Sequence, residues 1–150
     1  LLARPAILEC QFHQAGFHVV GIQEGRARDS STRFDTYYDM YVTSANSAGS
    51  YGVQIWIHKS CKFNIHANRS VSPRLMGLTG AFSAYRFDAR IICGHAPCED
   101  ASLDSKETFY DDLQKLYSQL GKGPSHLTLL CIDGNARVGS VASECFGGPS

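Results

Sequence analysis

A chain of 150 residues makes one ordinary domain, long enough to bury a real core. Hydrophobic residues at 43% and charged residues at 19% exclude a disordered chain. Lys plus Arg and Asp plus Glu both number 14, so the formal charge is zero, which excludes a surface built to coat polyanions but not a local anion site. No apolar run reaches the length of a membrane span, and the N-terminus lacks a charged-then-apolar signal pattern. The six cysteines (10, 61, 93, 98, 131 and 145) form no CxxC pair and no zinc-finger rhythm. They read as free thiols of an intracellular protein, in nucleus or cytoplasm. The alternative is a secreted, disulfide-bonded form with Asn68-Arg69-Ser70 as a glycosylation sequon.

In chain order, Ile7, Leu8 and Phe12 mark a short amphipathic helix over residues 5–15, ended by Gly16. Residues 17–22 read as a buried strand, and residues 23–36 as a charged, Ser-rich loop carrying Arg26, Arg28 and Arg33. Residues 37–43 form a strand in which Tyr38, Met40 and Val42 alternate with Asp39 and Tyr41. A polar loop leads to a strand over 52–58, with Val53, Ile55 and Ile57 on one face and Gln54, Trp56 and His58 on the other. Residues 63–67 read as an edge strand, and 75–84 have no assignment because Gly77 and Gly80 interrupt them. A strand over 85–93 runs into His95. Residues 104–120 are the clearest helix, with an Asp104–Glu107 capping box, Gly121 behind it, and a core stripe of Phe109, Leu113, Leu116, Tyr117 and Leu120. A last strand spans 127–132. No repeat or domain boundary interrupts the chain.

The chemistry gathers where three apolar strands stop. Glu24 follows Val19-Val20-Gly21-Ile22, His95 follows Ile91-Ile92-Cys93-Gly94, and Asp133 and Asn135 follow Leu129-Leu130-Cys131-Ile132. Alternation along an extended chain turns Asp133 and Asn135 to the same side across Gly134. If the strands are neighbours, two carboxylates, an imidazole and an amide converge. A carboxylate with open water positions suits magnesium, and metal, positioned water and imidazole together suit phosphodiester hydrolysis. The plainer readings are a turn at Asp133–Asn135, a surface pair of Glu24 with Arg26 or Arg28, and a strand end at His95 set by Pro97. The remaining histidines (13, 18, 58, 66 and 126) show no ligand spacing and read as surface or packing residues.

Taken in order, these motifs resemble the endonuclease/exonuclease/phosphatase superfamily, the deoxyribonuclease I-like enzymes. Val19 to Arg26 resembles its strand and Gln-Glu motif, and Ile91 to Pro97 its strand ending in Tyr- or His-x-Pro. Ile132-Asp133-Gly134-Asn135-Ala136-Arg137-Val138-Gly139 resembles its Gly-Asp-Phe-Asn-Ala signature, with Ile and Gly at two positions. Within the superfamily the sequence most resembles retrotransposon-type apurinic endonuclease-like and craniofacial-development-protein-like members.

The resemblance implies an α/β (α+β) four-layer sandwich, two mixed sheets face to face with helices outside. It implies Mg²⁺-dependent phosphodiester hydrolysis, with Mn²⁺ as the alternative cation, on nucleic acid and DNA first. Glu24 would be the metal ligand and His95 would contact the scissile phosphate. Asp133 would align or deprotonate water, with Asn135 orienting Asp133 and phosphate. A phosphatase on phosphoinositides or another small phosphoester is the alternative, and a non-catalytic interaction domain the second. The resemblance also implies that residues 1–150 lack the superfamily's first strand and its C-terminal Asp-His pair. The fragment is therefore expected to be weakly active or inactive beside its intact parent.

Overall fold

A computed structural model describes residues 5–121 and 126–135. Among the described residues, two α-helices and a short 3₁₀ helix (Lys59–Cys61) accompany two four-stranded sheets. Helix α1 is Pro5–Gln14 and helix α2 is Leu103–Gln119. The strands are β1 (Val19–Ile22), β2 (Ser31–Phe34), β3 (Tyr38–Val42), β4 (Gln54–His58), β5 (Phe63–Ser72), β6 (Leu75–Phe82), β7 (Phe87–His95) and β8 (His126–Asp133). The first sheet runs β1-β4-β3-β2 and the second β5-β6-β7-β8.

The four-layer sandwich expected from the resemblance is present, with one correction to its sheets. Only the second is mixed, through the parallel β7–β8 pair; every pairing in the first is antiparallel. In the first sheet β2, β3 and β4 follow one another as antiparallel neighbours and β1 returns to pair with β4, whereas β7 reaches β8 by the crossover through α2.

Three apolar clusters define the layers. Between the sheets, Val53, Ile55, Ile57 and Tyr41 meet Met76, Leu78, Phe82, Ile91 and Cys93. Outside the second sheet, Leu75 and Ile92 receive Phe109 and Leu116 of α2 and its C-cap residue Leu120. Outside the first, Tyr38, Met40, Val42 and Trp56 receive Leu8 and Phe12 of α1. The alternation read in residues 37–43 and 52–58 therefore sorts side chains between two cores rather than between core and water. Tyr41, expected opposite the apolar face of its strand, is buried in the inter-sheet core for this reason.

Three further readings change. β2 lies in the stretch taken for loop, because Ser31, Thr32, Arg33 and Phe34 form an exposed edge with no apolar period. β6 forms despite its glycines. A Cβ at Gly77 would lie 2.5 Å from Leu120 Cδ1, and one at Gly80 2.5 Å from the Phe63 ring, so both mark close contacts rather than chain breaks. The α2 cap is Ser102, whose Oγ accepts from Ser105 N at 3.2 Å, rather than Asp104.

Helix α1 is held by polar groups as well as apolar ones. Buried Glu9 accepts from the backbone N–H of Tyr37 at 2.5 Å and of Tyr38 at 3.1 Å. His13, read as a surface or packing residue, meets His58 at 2.9 Å and stacks on Tyr37. Ser60 N donates to His58 Nδ1, so the His58 proton sits on Nε2 and points at His13 Nδ1. His18 completes this histidine cluster, its ring 6.2 Å from that of His58.

Candidate active site

Strand β1 ends at Ile22, and Gln23 turns inward between the sheets. Its amide donates to the Cys131 carbonyl at 3.0 Å and lies 3.6 Å from Cys93 Sγ. This stitch leaves the next residue, Glu24, over the end of the second sheet. Glu24 and Arg26 both adopt left-handed backbone, φ 53° and 47°. Gly25 N and Arg26 N donate to the carbonyls of Gly52 and Tyr51, at 2.7 and 2.8 Å. Those two acceptors are themselves left-handed, with φ 87° and 68°. Such conformations cost of order 1–3 kcal/mol for a side-chain-bearing residue and gather at functional sites.

Strand β7 delivers His95 directly beside Asp133, its register partner across the parallel pair. Ala96 N then donates to the Asp133 carbonyl at 2.9 Å. His95 is buried, 7% exposed. Its Nε2 stands 3.8 Å from Glu24 Oε1, while its Nδ1 is buried without a hydrogen-bond partner. Glu24 is half-exposed, and its other oxygen meets Arg26 Nη2 at 3.4 Å, one of the two pairings that charge spacing suggested.

β8 stops at Asp133, so the two-residue alternation does not carry through to Asn135. Asn135 turns left-handed at φ 44°, and its backbone N–H donates to Asp133 Oδ1 at 3.0 Å. This is the turn of the plainer reading, and it is also what fixes the carboxylate. The Asn135 side chain goes elsewhere: Nδ2 donates to the Ala96 carbonyl at 2.8 Å. Ala136 to Gly139 of the same motif, and Cys145, lie outside the described residues.

All four residues singled out in the sequence thus stand at one end of the sandwich. Two others were missed. Tyr51 sets its ring edge-on to His95 with centroids 6.0 Å apart, and the Arg74 guanidinium lies 3.7 Å above the Tyr51 ring. Pro73-Arg74 reads as an ordinary turn before a strand, and nothing in its spacing points at His95. Arg74 has no carboxylate partner among the described residues, so the site is bordered by two guanidiniums, from Arg26 and Arg74.

Among the described residues no group of three or more His, Cys, Asp or Glu side chains could hold a metal by itself. The donor set does fit a cation that keeps its waters. Magnesium takes one or two carboxylates plus water and substrate phosphate, and Glu24 offers one half-exposed carboxylate. No helix among the described residues is long and apolar enough to cross a membrane.

No family model matches the sequence, and no curated protein matches it. Solved structures do. Three crystal structures of Caenorhabditis elegans TDP2 align over 95% of this chain. The selenomethionine protein has a TM-score of 0.59 at 17% identity, and a second crystal structure gives the same two values. The truncated protein has a TM-score of 0.60 at 16% identity. The fold is DNase I-like. The chain spans 45% to 60% of the length of these solved chains. Within the DNase I-like sandwich the candidate site lies where β1, β7 and β8 end, the last two in register.

Proposed function

We propose that this site cleaves phosphodiesters in nucleic acid, DNA first, with a divalent cation held at Glu24. The carrying observation is the convergence of three chain-distant strand ends, with His95 in register with Asp133 and 3.8 Å from Glu24. The DNase I-like fold shared with the TDP2 structures supports the same reading. So do the strained backbone at Glu24, Arg26, Tyr51 and Asn135 and the guanidiniums that border the site. Within the superfamily, the ordered set of motifs inclines the reading toward retrotransposon-type or craniofacial-development-protein-like members.

Each side chain has a task its surroundings suit. Asp133, exposed and held through Oδ1 by Asn135 N, takes a proton from the attacking water. His95 presents Nε2 to a phosphate oxygen from a buried position that keeps the imidazole still. Asn135 spends its amide N–H on the Ala96 carbonyl and keeps its side-chain oxygen to accept from the attacking water, while its backbone N–H holds Asp133. When bound, Mg²⁺ or Mn²⁺ polarises the phosphoryl oxygen and neutralises developing charge. Arg26, paired to Glu24 by one oxygen, is free to swing onto a phosphate once the carboxylate has a cation.

The test is nicking of supercoiled plasmid by the chain and by a version extended at both ends. Cleavage is expected with Mg²⁺, strongest in the extended chain, abolished by EDTA and by His95→Ala. Hydrolysis of a soluble inositol phosphate but not of plasmid would move the site to the phosphatase class. Absence of both activities in the extended chain would make this a non-catalytic domain.

A further inference from the structure

Arg74 makes contacts that no part of the proposed chemistry yet uses. Its Nη1 donates to two successive carbonyls, His95 O at 3.1 Å and Ala96 O at 3.3 Å. Its own carbonyl accepts from His95 N at 2.9 Å. Backbone and side chain of one residue therefore grip the His95–Ala96 segment from both directions. The guanidinium rests on the Tyr51 ring, and that ring stands edge-on to the His95 imidazole. Tyr51 is itself held in place: its carbonyl accepts from Arg26 N, and its neighbour Gly52 donates to the Pro73 carbonyl. On the opposite side, the Ala96 carbonyl that Arg74 binds is shared with Asn135 Nδ2. One carbonyl thus joins Arg74, His95 and the Asp133–Asn135 turn.

We propose that Arg74, seated on Tyr51, is the positioning residue of this site: it sets the His95 imidazole against Glu24 and ties that setting to the Asp133–Asn135 turn. The consequence for catalysis rests on the phosphodiesterase reading; the positioning itself does not. The arrangement suits arginine: its planar guanidinium lies flat on the Tyr51 ring while Nη1 donates to both carbonyls, and a lysine ammonium has no plane to stack. Second-layer groups that orient a reactive side chain in this manner typically matter by one to two orders of magnitude, and misplacement of a reacting group by about 1 Å costs roughly a hundredfold.

The experiment compares wild type with Arg74→Met, Arg74→Lys and Tyr51→Leu by two readouts. In ¹H–¹⁵N spectra of the chain, Arg74→Met is expected to move the His95 ring, the Ala96 amide and the Asn135 side-chain amide, leaving Leu78 and Ile91 in place. Arg74→Lys should recover part of that displacement. Tyr51→Leu, which keeps both guanidinium donors, should reproduce it in milder form and stands in if Arg74→Met fails to fold. Unmoved His95 and Asn135 signals in the folded variants would overturn the proposal. In a preparation that nicks plasmid, Arg74→Met should lower kcat by about a hundredfold with KM within about twofold. A raised KM at unchanged kcat would mean that Arg74 grips substrate directly, which also overturns it. If wild type does not cleave any phosphoester, the proposed function fails, and the spectra alone decide the positioning claim.

Discussion

The inter-sheet core and the strand-end site are neighbours built on opposite rules. The core is regular β-structure whose Val53, Ile55, Leu78 and Ile91 are fully buried. A few residues further along the same strands, four side-chain-bearing residues hold left-handed backbone, a histidine nitrogen is buried unpaired and a carboxylate stands half in solvent. Neither region would do the other's work. Rigid apolar strands over-determine the loops they deliver, and the loops can then hold conformations that cost energy. The border is Gly21, where a Cβ would sit 2.3 Å from Cys131 Cβ in the facing sheet. Glycine at this point lets the sheets close just before β1 releases Glu24.

If that division is correct, substitutions on the two sides should separate activity from stability. The largest effect belongs to Asp133→Asn, which keeps the turn to Asn135 N but removes the proton acceptor. Cleavage should fall by about 10²- to 10⁴-fold while unfolding free energy stays within about 0.5 kcal/mol of wild type. Plasmid nicking and urea melts on one preparation check both halves. Ile91→Ala should do the reverse, losing about 2–5 kcal/mol in the same melts while the protein that remains folded keeps its turnover. Gly21→Ala tests the border. Overpacking there should cost about 1–3 kcal/mol and also reduce cleavage, since the Gln23 stitch to Cys131 moves with it. A Gly21→Ala variant altered in stability alone would break the border apart.

The smallest effect concerns pH and lies outside both regions, at the His13–His58 contact. Burial, then His13 and His18, lower the His58 value below its ordinary 6.5. Folding therefore favours the neutral ring, so the unfolded chain binds more protons in the intervening range. The contribution is complete above about pH 6.5 and is lost as pH falls through the lowered value. His58→Gln, which can still donate to His13, should flatten the slope of stability against pH below 6.5.

Much of this was legible in the sequence for a physical reason. Glu24, His95, Asp133 and Asn135 each follow an apolar run of strand length, and a polar group at such a boundary is visible without knowing the fold. The α2 stripe and the alternation of 52–58 were legible because burial imposes a period, although Tyr117 of the expected core stripe is 41% exposed and lies under the Arg90 guanidinium instead. β2 imposes none, having an exposed edge, and β6 hid behind glycines whose purpose is contact with Leu120 and Phe63. Tyr51 and Arg74 were out of reach for a different reason. Their significance lies in which carbonyls and which ring they meet, and no spacing along the chain encodes that. The Asp133–Asn135 pair falls between these cases, its residues legible but its geometry a turn rather than an alternating face.

The central claim is that these strand ends form one cation-dependent phosphate site, and paramagnetic broadening by Mn²⁺ tests it most directly. Titrated into ¹⁵N-labelled chain, Mn²⁺ should broaden the signals of Glu24, His95, Asp133 and Asn135 first, and Glu24→Gln should remove that pattern. Broadening that begins instead around the acidic stretch of Glu99, Asp100 and Asp104, or that survives Glu24→Gln, would contradict the account.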